Sequence, residues 1–167
     1  MPETTMGPEP TPSRPHMPGY GISESREGLL PWSWAVERLQ KTRNFWVATT
    51  RPDGRPHAMP VWAIWSADAL YFSTARTSVK ARNLVANPDC TITTERADEA
   101  VILEGPATVE EDHDVLRPVW DDYKAKYDWD IKGQSMFVLR PRTAFGFIET
   151  AEQFAAAATR WTFPAAS

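Results

Sequence analysis

Cysteine is almost missing from this sequence. Cys90 stands alone among 167 residues, so no internal disulfide can staple the fold, and no paired Cys and His spacing offers a zinc site. Long apolar runs are missing too. No stretch approaches the roughly 18 residues that cross a bilayer, and Met1 to Arg26 has no apolar core of the kind a signal peptide carries. These gaps lead us to expect a cytoplasmic protein with no membrane partner. Positive charge is in short supply: the formal net charge is −4, which speaks against nucleic-acid binding, and any bound phosphate must be met by local groups. The chain also lacks a G-x-G-x-x-G or P-loop motif and any Ser-His-Asp or Cys-His order. Hydride or electron chemistry would then be a cofactor's, with the protein supplying position and charge.

What is present suits one domain that buries its own core. Six of the first eighteen residues are proline, with little to bury between them, so residues 1–27 are expected to be a disordered arm. Residues 28–150 read as the folded domain and 151–167 as a tail. The eight tryptophans are many for this length, enough to cover a planar ligand or a subunit interface as well as to fill a core.

Periodicity divides the domain. Trp32, Ala35, Val36 and Leu39 recur at helical spacing. Phe45 to Thr50 is aromatic and β-branched, and Pro52-Asp53-Gly54 supplies the turn into a return strand from Pro56 to Trp65. Ala69 to Thr74 completes a meander. A short helix spans Ser78 to Asn87 and stops before Pro88. Strands follow at Cys90 to Thr94 and Ala100 to Val109, then a helix from Asp112 to Tyr127 with Val115, Val119, Tyr123 and Tyr127 at steps of four. Ser135 to Arg140 and Ala144 to Ile148 are the last strands. Six to seven short strands with few helices predict a mainly β fold, an antiparallel barrel closed against exposed edges. A barrel this small is filled by side chains, so a ligand must lie outside it or between two copies.

The segment Ser73 to Asn83 carries the chemistry. Hydroxyls at Ser73 and Thr74 end a strand, and Arg76, Lys80 and Arg82 flank the start of a helix whose free amides and positive dipole end favour an anion. On charge patterning alone, a capped helix with a solvated basic face is the commoner outcome. His57, on the second strand, is the one candidate proton donor, and a plain strand histidine is the competing reading.

Phe45-Trp46-Val47-Ala48-Thr49-Thr50, the turn Pro52 to Pro56, His57 to Trp62, Lys80-Ala81-Arg82-Asn83-Leu84 with Asn87-Pro88, and Glu104-Gly105-Pro106-Ala107 together resemble the pyridoxamine 5′-phosphate oxidase-like split barrels. They are most similar to the actinobacterial flavin and deazaflavin oxidoreductase branch, over roughly Leu30 to Ile148. The resemblance implies an FMN-binding split barrel that packs as a homodimer with cofactors in the grooves between subunits. It implies that Ser73, Lys80, Arg82 and Asn83 line the cofactor's phosphate and ribityl chain, with Arg76 a plausible addition and Thr74 beside Ser73. Met59, Pro60, Val61 and Trp62 match the strand that edges the ring. Arg160 and Trp161 match a C-terminal pair that reaches the partner's flavin in such enzymes, a frayed tail being the alternative. Related branches often have a basic residue where this chain has Ser78, which shifts the grip to Lys80 and Arg76. The implied function is hydride transfer from reduced coenzyme F420 to an unsaturated or quinone-like small molecule. FMN is the alternative cofactor, and a non-catalytic carrier of flavin, F420 or a haem-related ligand the alternative role.

Overall fold

In a computed structural model, which describes residues 7–165, nine strands and four helices are present. The first six residues of the expected arm and the last two of the tail lie outside the described residues. The strands are β1 (Thr11–Ser13), β2 (Asn44–Thr50), β3 (Pro56–Ser66), β4 (Ala69–Phe72), β5 (Asp89–Thr94), β6 (Glu99–Glu110), β7 (Met136–Leu139), β8 (Thr143–Ile148) and β9 (Thr159–Thr162). The helices are α1 (Trp32–Lys41), α2 (Val79–Ala86), α3 (His113–Tyr127) and α4 (Phe154–Ala157).

Six strands close a ring in the order β6, β5, β2, β3, β4, β7 and back to β6, all antiparallel. Closure depends on two long strands that each change partner. β3 pairs with β2 up to Trp62 and with β4 from Ala63 onward. β6 pairs with β5 up to Pro106 and with β7 from Ala107. Gly105 sits at that change, where an added Cβ would stand 2.6 Å from the Arg140 carbonyl oxygen. The β2–β3 hairpin follows from its turn chemistry: Gly54 takes a positive φ of 88°, and the Asp53 carboxylate accepts the Arg55 amide at 3.1 Å.

Alternation sends Phe45, Val47, Ile92, Val101 and Leu103 into the barrel, where they meet Leu39 of α1 and Leu84 of α2. A second apolar layer lies outside it. There Leu116, Val119, Trp120, Tyr123 and Tyr127 of α3 cover Ile64, Tyr71 and Val138. Val115, placed on that stripe by its spacing, is turned outward instead.

The arm and the tail correct the sequence reading. β1 pairs with β9, and β9 pairs with β8, so both ends of the described chain extend the chain's own sheet. Arg14 locks the join by donating to the carbonyls of Ser25, Glu27, Ala156 and Ala158 at 2.7 to 2.9 Å. Proline-rich composition hid this order because the bonds are supplied by carbonyls far away in sequence. Trp161 belongs to the core: it is wholly buried, edge-on to Trp32 at 5.2 Å, and an added Cβ at Gly146 would come within 2.6 Å of its ring.

Candidate functional site

One cleft of about 370 Å³ is lined by Asn44, Pro60, Val61, Trp62, Ser73, Lys80 and Tyr123. The fold builds it from three parts. Its first wall is the edge of β3: between Pro56 and Trp62 this strand pairs with β2 on one side, while β4 joins the other side only from Ala63. The free edge offers main-chain groups, and a proline, which donates nothing, is suited to such a position. The second wall is the start of α2 with the loop before it. Ser78 caps the helix by accepting the Ala81 amide at 3.2 Å, and its hydroxyl lies 3.2 Å from that of Thr74. As at any helix start, the first amides have no intrahelical acceptor, and the dipole end is positive. The third wall is α3, which brings Tyr123 against Trp62, ring centroids 6.3 Å apart.

Electrostatics distinguish the two ends. Lys80 is half-buried, enters no ion pair among the described residues, and has its pKa lowered by that burial. A desolvated ammonium without a counterion among the described residues, next to Ser73 and a helix start, is a built receptor for an anion. At the other end Trp62 stacks on Tyr127 at 4.6 Å with planes 7° apart, and the Arg43 guanidinium lies 5.5 Å from the Trp62 ring. The Asn44 amide donates to Glu95 at 2.9 Å. Burial keeps the Tyr123 phenol protonated by raising its pKa. Nearby Lys126 donates to the Ala63 carbonyl at 3.2 Å, and its pKa falls to about 8 through burial and then the charge of Arg43.

Of the residues anticipated from the sequence, Pro60, Val61, Trp62, Ser73 and Lys80 come together here. The others do not line the cleft. Met59 sits in register with Val47, so its side chain takes the opposite face of β3 from Pro60 and Trp62, and is exposed. Thr74 is spent on the loop. Arg76 is exposed in that loop, 5.8 Å from the Phe137 ring. Arg82, two positions after Lys80, is carried by the helical period to the exposed side of α2. Asn83 is a structural tie: it is 3% exposed and donates to the Thr49 hydroxyl at 3.0 Å. His57 pairs in register with buried Thr49, on the opposite face from Pro60, and its Nδ1 is enclosed without a partner among the described residues. Arg160 is exposed on β9, and Trp161 is sealed in the core beneath it. Asn44 and Tyr123 went unremarked as site residues. The sign that would have found Tyr123 is its place one turn before Tyr127, on the face of α3 that meets β3.

The family model described as pyridoxamine 5′-phosphate oxidase matches residues 35–153, well over half the chain. Among curated proteins none matches. Solved structures with a similar fold include General Stress Protein 26 from Bacillus anthracis str. Sterne, 22% identical, with a TM-score of 0.58 over 68% of this chain and 91% of that one. An F420 reductase is 23% identical, with a TM-score of 0.54 over 65% of this chain and 93% of that one. A FAD-binding protein from Mesorhizobium loti is 19% identical, with a TM-score of 0.56 over 80% of this chain and 96% of that one. At these identities the likeness is one of fold.

Proposed function

The chain belongs to the pyridoxamine 5′-phosphate oxidase family, and from that premise we propose that it is an oxidoreductase using a flavin-type cofactor, reduced coenzyme F420 first and FMN second. The observation that carries the proposal is the convergence of Lys80, in no ion pair among the described residues, with Ser73 and the α2 start in a cleft that also holds the open strand edge beside Trp62. The residues present fit a molecule with a phosphate at one end and a planar ring at the other. When bound, the cofactor supplies a hydride carrier. Lys80 and Ser73 hold its anionic end, the β3 edge offers main-chain bonds to the ring, and the Trp62–Tyr127 stack keeps that wall flat and dry.

F420 is placed first because of Arg76. It is exposed just ahead of α2 and in no ion pair among the described residues, and is thus available to the acidic tail that F420 carries beyond its phosphate. FMN ends at the phosphate. A specific observation favours FMN: Arg82 faces away, so the basic strip is shorter than the sequence implied. Titration of the protein with each cofactor, followed by fluorescence and absorbance, is the test. Tight FMN binding with no response to F420 would reverse the order, and no binding of either would end the proposal. The substrate is expected to be an unsaturated or quinone-like organic molecule, with turnover separating an enzyme from a carrier.

The same reading includes a homodimer. Trp46 is 49% exposed and lies in register with Pro60, on the same face of the sheet as cleft residues Asn44 and Trp62. Ala48 and Ala58 continue that face. A second copy laid over it would cover the open side of the cleft.

A further inference from the structure

Tyr123 and Tyr127 sit one turn apart on the same face of α3, both rings buried against β3, yet their hydroxyls are treated differently. The Tyr127 hydroxyl is saturated: it accepts the Ala63 amide at 3.0 Å and lies 2.6 Å from the Arg43 carbonyl, to which it donates. The Tyr123 hydroxyl makes no hydrogen bond among the described residues and is not among the polar atoms sealed in the core. The residue is only 5% exposed and lines the cleft, so the cleft is the opening we assign to its hydroxyl. Buried tyrosines ordinarily find a partner for the hydroxyl, and phenylalanine would fill this part of the core equally well. The other polar side chains of the cleft are accounted for. Asn44 is held by Glu95, and Ser73 and Lys80 belong to the α2 end.

Resting on the functional reading above, we propose that the Tyr123 hydroxyl donates a hydrogen bond to a carbonyl oxygen of the molecule in the cleft, orienting its ring along the open edge of β3. Two sources offer that carbonyl: the cofactor ring and the reducible substrate. Pro60 fits this reading, because a proline leaves its own position on the strand without an amide donor. Burial that raises the Tyr123 pKa keeps the proton on the oxygen.

Tyr123→Phe removes the hydroxyl and keeps the ring, so the ligand-free melting temperature should not change, whereas Tyr127→Phe should lower it. Wild-type and Tyr123→Phe protein are titrated with FMN and with F420, and the loaded proteins are then assayed with cyclohex-2-enone. A dissociation constant raised roughly three- to tenfold, the effect of one neutral hydrogen bond, with a shifted absorption band, identifies the cofactor ring as the acceptor. An unchanged dissociation constant with KM for the enone raised by the same factor identifies the substrate. Identical cofactor binding, spectra and KM in both proteins overturn the proposal for Tyr123 and leave the cofactor reading standing. Wild-type protein that binds neither cofactor overturns both.

Discussion

Lys80 bears a charge that its surroundings disfavour, and that cost is what makes it useful. A bound phosphate returns the interaction that burial removed, so Lys80→Ala is expected to weaken cofactor binding by about 1.5–3 kcal/mol, the range for a hydrogen bond to a charged group. The pH dependence has a definite sign. Burial lowers the Lys80 pKa and the anion raises it again, so affinity falls as pH rises through the lowered value; a dissociation constant flat across that range would remove Lys80 from the site. Lys126 gives a second test through stability. Its folded pKa of about 8 lies below the unfolded 10.5, so between those values the unfolded chain holds more protons and stability rises with pH. Lys126→Met should lose this rise and be the more stable protein at neutral pH. The comparison must be between the two proteins, because Cys90, pushed up to about 12 from 9.0, acts with the opposite sign above pH 9. Urea unfolding at several pH values checks it. At this scale the sequence was half legible. Ser73 and Lys80 came together in one cleft, as their places ahead of and within a helix start suggested. Asn83 and Trp161 did not, because side-chain type says nothing about whether Thr49 or Gly146 is waiting inside.

At the scale of elements, helix and strand positions followed from periodicity and from Pro and Gly, usually to within two residues. Asp112 caps α3 as its position implied, accepting the Asp114 amide at 2.9 Å. What escaped was order imposed from a distance. β1 has neither alternation nor propensity, and it is a strand because β9 offers a free edge and Arg14 satisfies four carbonyls. Deleting residues 1–27 should therefore lower the thermal midpoint, although the cleft loses no lining residue. Cofactor affinity unaltered beside reduced stability is the expected pair of results, and an unchanged midpoint would return the arm to the status of a loose extension. Gly146→Ala probes the neighbouring strand. The new Cβ would fall 2.6 Å from the Trp161 ring and 3.0 Å from Trp34, an overpacking that costs about 1–3 kcal/mol. Denaturant midpoints measure it directly.

For the molecule as a whole, the barrel was legible because each strand announced itself and six such strands have one economical way to hide their edges. The side of the sheet that stays open was not, since alternation marks two faces without saying which is covered. α3 covers one end of the outer face, and beyond Trp62 the sheet continues bare through Pro60 and Trp46. A large exposed indole beside a ligand cleft is poorly explained in a single copy. If a second copy covers it, Trp46→Glu should place a charge in the contact, yield monomers by light scattering, and leave the fold intact, because the side chain is outside the barrel core. Cofactor affinity should fall with it even though Lys80, Ser73 and Trp62 are untouched, and it should rise with protein concentration in the wild type as dimers form. Dimers that survive the substitution would place the interface elsewhere, and monomers that bind cofactor as tightly as the wild type would mean that each cleft is complete on its own.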